Sequence, residues 1–150
     1  MIDFKTLKKN LKKDTRGLPI IKIALVGDTA TQFLATAIIG MGVERGFHIN
    51  LFEAEYNQVE RQFLDPTSEL YQFDADFIVV FQSAHKLGEH HSMLSMAEQA
   101  EVAEQRLQFV ESICLNGTHI FNSYKWEGTK PPKIIILPIH VLGLVFLCAL

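Results

Sequence analysis

The chain has 150 residues, 48% of them hydrophobic and 21% charged, which excludes a disordered polymer and fits one domain with a buried core. A net charge of −3 argues against a general nucleic-acid binder. The charge is uneven: residues 5–16 are strongly basic, while acids outnumber bases from Glu44 to Asp76. The two cysteines, Cys114 and Cys148, have no metal or disulfide spacing, and Cys114 reads as a small core residue. Charges precede any apolar run, so no signal peptide is expected and the cytoplasm is the expected location.

Residues 1–18 form the first unit. Phe4, Leu7 and Leu11 stand at helical spacing among Lys5, Lys8, Lys9, Lys12 and Lys13. This predicts an amphipathic helix docked by its apolar stripe, with lysines in water. A membrane or nucleic-acid surface is the alternative, for which three apolar anchors are few.

Gly17-Leu18-Pro19 breaks that pattern and opens a predicted α/β domain over residues 19–132. Ile20–Val26 is a β-branched run that stops at Gly27-Asp28-Thr29, and a helical pattern follows over Thr31–Arg45. Phe33, Leu34, Ala37, Ile38 and Met41 are its predicted buried stripe. Gly40 and Gly42 permit close approach to the sheet, and Gly46 suits a C-cap. His48–Phe52 reads as the second strand. Within the long connection Glu53–Asp76, Asn57–Leu64 and Thr67–Phe73 read as short helices separated by Asp65-Pro66. Phe77–Phe81 is the third strand, expected to be parallel to the first, and Gln82–His91 is read as a loop. Ser92–Leu115 reads as the clearest helix, its face formed by Met93, Met96, Ala100, Ala103, Leu107, Val110 and Cys114. Asn116-Gly117 is taken to end it, Thr118–Phe121 to be a fourth strand, and Asn122–Pro132 a loop. The alternation of strands and helices predicts a three-layer α/β fold with a mostly parallel sheet.

Residues 133–150 are nearly all apolar, interrupted by Pro138 and His140. The expectation is a truncated or frame-shifted end. A buried strand at Ile134–Ile139 with a short helix is the alternative, ahead of a membrane anchor.

Ligands of parallel α/β sheets bind at the carboxyl ends of strands, which singles out Asp28 and Thr29. Both residue types also cap helices, so a structural role fits equally. His85, Glu89, His90 and His91 cluster but are expected to be solvated, and no metal site is expected. No Gly-x-Gly-x-x-Gly follows the first strand, so dinucleotide binding is not indicated; Glu53 or Glu55 alone is a weak ribose signal.

One succession of motifs is more specific. Val26–Leu34 is followed by Phe52-Glu53-Ala54-Glu55-Tyr56-Asn57-Gln58, Leu64-Asp65-Pro66-Thr67-Ser68-Glu69-Leu70-Tyr71, and Asp76–Val80. In this order they resemble the N-terminal region of FkbH-like proteins, a bacterial biosynthetic subfamily of HAD-superfamily phosphatases. The resemblance covers about Met1 to Tyr124. It implies an SGNH-hydrolase/flavodoxin-like fold and a later phosphatase domain that would carry Asp-x-Asp and Mg. Here Asp74-Ala75-Asp76 has that spacing but precedes a strand, and no Thr follows at the required place. The chain is therefore expected to be a leading domain without its HAD partner, and without a cofactor of its own.

The SGNH pattern is also incomplete. Gly27-Asp28-Thr29 replaces Gly-Asp-Ser, Leu137-Pro138-Ile139-His140 lacks the acid of Asp-x-x-His, and Phe81-Gln82-Ser83 lacks the glycine of Gly-x-Asn. Thr29 is thus the weak catalytic candidate of an esterase alternative. The expected function is non-catalytic binding of a small acidic metabolite or an acyl carrier protein near Asp28, Thr29, Gln32, Glu55, Tyr56, Asn57 and Gln82. A purely structural or interaction domain is the third possibility. Neither nucleic acid nor a membrane is an expected partner.

Overall fold

β-branched apolar runs become the centre of a parallel sheet, and the segments between them return as helices. The computed structural model describes residues 2–123 and 133–138. In chain order these form α1 (Phe4–Asn10), β1 (Ile20–Gly27), α2 (Gln32–Glu44), β2 (His48–Glu53), α3 (Val59–Leu64), α4 (Glu69–Phe73), β3 (Phe77–Gln82), α5 (Ala84–Met93), α6 (Met96–Ser123) and β4 (Lys133–Pro138). The four strands lie in the order β2-β1-β3-β4, and every pairing is parallel. Ile23 pairs with Leu51 on one side and Phe77 on the other. The expected parallel pairing of the first and third strands is what the sheet shows.

Alternation along the strands sorts the core into two layers. Ala24, Val26, Ile78 and Val80 pack with Val59, Phe63, Leu70 and Ile113. Leu25 and Val79 join a second cluster with Ala35 of α2. Phe63 and Leu70 are fully buried, each worth about 1.5–3 kcal/mol of apolar burial.

On the outer face of α2, α1 is seated by Leu7 and Asn10, both buried. The Asn10 amide donates to the Gly40 carbonyl at 3.1 Å and to the Glu44 carboxylate at 2.9 Å. Gly40 therefore admits α1 rather than the sheet, whereas Gly42 lies against Ile49 of β2. Gly46 follows α2 with φ +79°, a left-handed terminus that glycine adopts without a side-chain penalty.

The connection from β2 to β3 is ordered by its own polar groups. Gln62 is buried; its amide donates to Glu69 at 2.8 Å and accepts the Leu70 N–H at 3.0 Å. Ser68 Oγ donates to the Gln62 carbonyl and Tyr71 Oη to the Phe63 carbonyl, each at 2.8 Å. Burial pushes the Tyr71 phenol up to about 12. The Leu64–Tyr71 motif thus folds its own connection.

At the amino end of the sheet Asp76 ties three strands. Its carboxylate accepts the Lys22 N–H at 2.8 Å, its N–H donates to the Lys22 carbonyl, and its carbonyl accepts the Lys133 N–H. Asp74 caps α4 in a left-handed conformation and pairs with Lys22 at 3.5 Å. Asp74-Ala75-Asp76 is a turn and a strand fastener.

Several expectations are corrected. Thr118–Phe121 is not a strand: α6 runs through Asn116-Gly117 to Ser123, and the place beside β3 belongs to β4. One glycine costs a helix only about 1 kcal/mol, too little to end it. Gln82–His91 is not a loop, because Ser83 Oγ accepts the Lys86 N–H and starts α5. The helix expected over Ser92–Leu115 begins only after Leu94, at a reciprocal Ser95–Glu98 capping box. Its buried face is Val102, Arg106, Phe109, Val110 and Ile113, while Met93, Met96 and Leu107 are exposed. Phe33, expected inside, is 79% exposed, and Phe4 and Leu11 leave α1 only Leu7 as a buried apolar anchor. Of the apolar end, Lys133–Pro138 is β4, matching the strand alternative; the rest, with His140 and Cys148, lies outside the described residues, as does most of the expected 122–132 loop. Among the described residues no helix is long and apolar enough to cross a membrane.

Candidate ligand site at the carboxyl ends of β1 and β3

The chain leaves β1 for β2 on one side and later returns to β3 on the other. In parallel sheets such a reversal is where the crevice for a ligand forms, here between the carboxyl ends of β1 and β3. Asp28 occupies it. Its N–H donates to the Phe81 carbonyl at 3.2 Å, and its carboxylate accepts the Ser83 N–H at 2.8 Å. The carboxylate thereby joins the β1 turn to the start of α5. Gly27 permits the turn, since a Cβ there would meet Thr31 Cγ2 at 2.7 Å.

From the other side, the Asn57 N–H donates to the Gly27 carbonyl at 3.2 Å, with Asn57 left-handed at φ +59°. Asn tolerates that conformation better than most residues. The preceding Tyr56 ring is 62% exposed. Lys86 connects these parts: its Nζ donates to the Asp28 carbonyl and lies 4.3 Å from the Tyr56 ring centroid. This is a cation–π contact at the mouth of the crevice.

The structure thus brings Asp28 and Tyr56 together at Lys86, with Asn57 bonded to Gly27, Thr29 half-buried next to Asp28 in the chain and Gln82 buried at the end of β3. Gln32 and Glu55 are exposed and join no described hydrogen bond. Glu53 accepts the hydroxyl hydrogen of buried Thr31 at 2.5 Å, a structural use of that carboxylate. His85 pairs with Glu89 at 3.4 Å on α5, and His90 and His91 are exposed. Among the described residues no three His, Cys, Asp or Glu gather as a metal site.

Lys86 escaped the sequence reading, and so did a half-buried cation on α6. Lys86 is the third residue of α5, legible only once Ser83 is recognised as an N-cap. Arg106 sits half-buried on the core-facing stripe of α6, its guanidinium 4.8 Å from the Phe109 ring centroid. Burial lowers its pKa, and the charges of Asp28 and Glu60 oppose that shift. An arginine at core register is the signal that could have found it. The crevice therefore holds an exposed aromatic ring and the Lys86 ammonium, which forms no ion pair within 4.0 Å among the described residues.

This is a parallel α/β domain with polar side chains at its topological switch point. The family model for the FkbH N-terminal domain matches residues 22–124, and the chain belongs to that family. It is also similar to a solved structure from Bacteroides fragilis, the N-terminal part of a protein containing a phosphatase domain, complexed with Mg. The two are 46% identical with a TM-score of 0.78; the match covers 91% of this chain and 33% of that one. This chain thus spans about a third of the length of that solved chain. No curated protein matches it.

Proposed function

We propose that this domain is a non-catalytic, SGNH-like binding module of an FkbH-like phosphatase system, holding a small acidic metabolite or a carrier-linked acyl group. The observation that carries this is Lys86, poised between the Asp28 carbonyl and the exposed Tyr56 ring. An ammonium beside an aromatic platform suits an anionic head with a short organic body. Arg106 adds positive potential, and the Gln82 side chain offers a neutral donor. Asp28 serves as the frame, since its carboxylate is engaged by the Ser83 N–H. Phosphate cleavage and its Mg belong in this proposal to a separate phosphatase domain, as found in the similar Bacteroides protein. The carboxylates described here do not gather to hold such an ion.

Calorimetric titration with phosphoglycerate and with an acylated carrier protein tests the proposal. Lys86→Ala should weaken binding about tenfold or more, the scale of a lost charged hydrogen bond. Hydrolysis of short p-nitrophenyl esters that disappears in Thr29→Ala would instead establish the esterase alternative. Absence of both binding and hydrolysis would leave a purely structural domain.

A further inference from the structure

The α1–α2 layer on one face of the sheet carries a second surface. Residues 5–16 hold six of the chain's 14 lysines and arginines, in a protein of net charge −3. Lys5, Lys8, Lys9 and Lys12 are exposed and form no ion pair among the described residues, while Lys13 pairs with Glu44 at 3.7 Å. Apolar side chains interrupt this charge. Phe4 and Leu11, one heptad apart, are 40% and 42% exposed. Phe4 meets Phe33 edge-to-face at 5.7 Å, leaving Phe33 largely in solvent. Beside them runs a groove of about 490 Å³, whose apolar lining includes Leu7, Ile38, Met41, Phe47 and Ile49.

We propose that the α1–α2 face docks an acidic protein segment that inserts apolar side chains into this groove while its carboxylates face Lys5, Lys8, Lys9 and Lys12. Charge complementarity selects the occupant: α1, whose Leu7 lines the groove, and the turn after it carry the unpaired lysines, Arg45 lines the groove itself, and an acidic partner steers toward these cations. Three exposed apolar side chains, Phe4, Leu11 and Phe33, are few anchors for a bilayer, which favours a protein. Exposed aromatics beside an apolar groove also fit the usual make-up of a protein interface.

The test uses the full chain and a fluorescent amphipathic peptide with leucines on one helical face and glutamates on the other. A peptide of the same composition in scrambled order, anionic phosphatidylglycerol vesicles and a short DNA duplex are the comparisons. The ordered peptide should bind best. Its affinity should fall about tenfold or more in Lys5→Glu/Lys8→Glu/Lys12→Glu, and also when salt rises from about 0.1 M to about 1 M. Should that triple variant fail to fold, Phe33→Ser tests the apolar half at a largely exposed position, with weaker binding expected. Equal binding of ordered and scrambled peptides, or indifference to these substitutions in folded protein, overturns the proposal. Tighter binding to vesicles or DNA overturns it in favour of those surfaces. The crevice variant Lys86→Ala should leave peptide binding unchanged, which keeps this proposal separable from the preceding one.

Discussion

Adding one methyl group at Gly40 should separate α1 from the domain. A Cβ at that position would stand 2.4 Å from the Leu7 carbonyl oxygen, 2.8 Å from its carbon and 2.9 Å from its Cα. All three are backbone atoms, so no rotamer change relieves the contact and α1 must move outward. That movement stretches the Asn10 bonds to Gly40 and Glu44. Overpacking costs about 1–3 kcal/mol, and an unpaired buried amide costs about 1–3 kcal/mol. The better helix propensity of alanine returns about 1 kcal/mol. The net expectation for Gly40→Ala is a loss of about 1–3 kcal/mol, bounded above because α1 can undock rather than unfold the whole chain. Gly88 is the control: it lies in α5 with nothing within 4 Å of its would-be Cβ. Gly88→Ala should stabilise by about 0.5–1 kcal/mol. Urea unfolding followed by circular dichroism measures both, and limited trypsin digestion reports cleavage at Lys8, Lys9, Lys12 and Lys13. Equal midpoints and equal cleavage rates in the two variants would refute the argument.

Ser95→Ala removes the hydroxyl that accepts the Glu98 N–H and donates to its carboxylate; the cap loss should cost about 1 kcal/mol in urea unfolding and fray the start of α6 by hydrogen exchange. Tyr71, held neutral by burial, should ionise near 12, so stability tied to it is intact below pH 10 and declines as pH rises toward 12. Absorbance titration near 295 nm should show a late-titrating phenol that Tyr71→Phe abolishes.

The central strands were legible because period and composition agree there: Ile23–Val26 and Phe77–Phe81 are apolar on both faces, as buried parallel strands require. The turn residues of the site were equally legible, since a Gly-Asp after such a strand marks its carboxyl end. The helices after β3 were not. Gly88-Glu89-His90-His91 has no apolar stripe, so α5 resembles a loop by composition, and only the Ser83 cap reveals it. The first part of the α6 stripe was misread, because Met96, Ala100, Ala103 and Leu107 form a more hydrophobic row than the one that faces the core, whereas Val110 and Cys114 pack against the core as expected. The buried row contains Arg106, and a charge at its centre conceals it. The Ser95-Met96-Ala97-Glu98 capping box was present in the sequence and marks the true start. Thr118–Phe121 has strand composition, but a β-prone tetrapeptide does not interrupt a helix anchored upstream by Ile113 on the core.

Asp76 divides labour along the sheet. By fastening β1, β3 and β4 at their amino ends, it fixes which side chains face each layer, because a slip of one residue would exchange the two faces. Alignment of the scaffold is therefore settled far from the crevice. Exposed side chains at the other end, such as Gln32, Glu55 and Tyr56, carry no part of that duty, so a substitution there leaves the core in place. Recognition can diversify at one pole while architecture is inherited intact from the other.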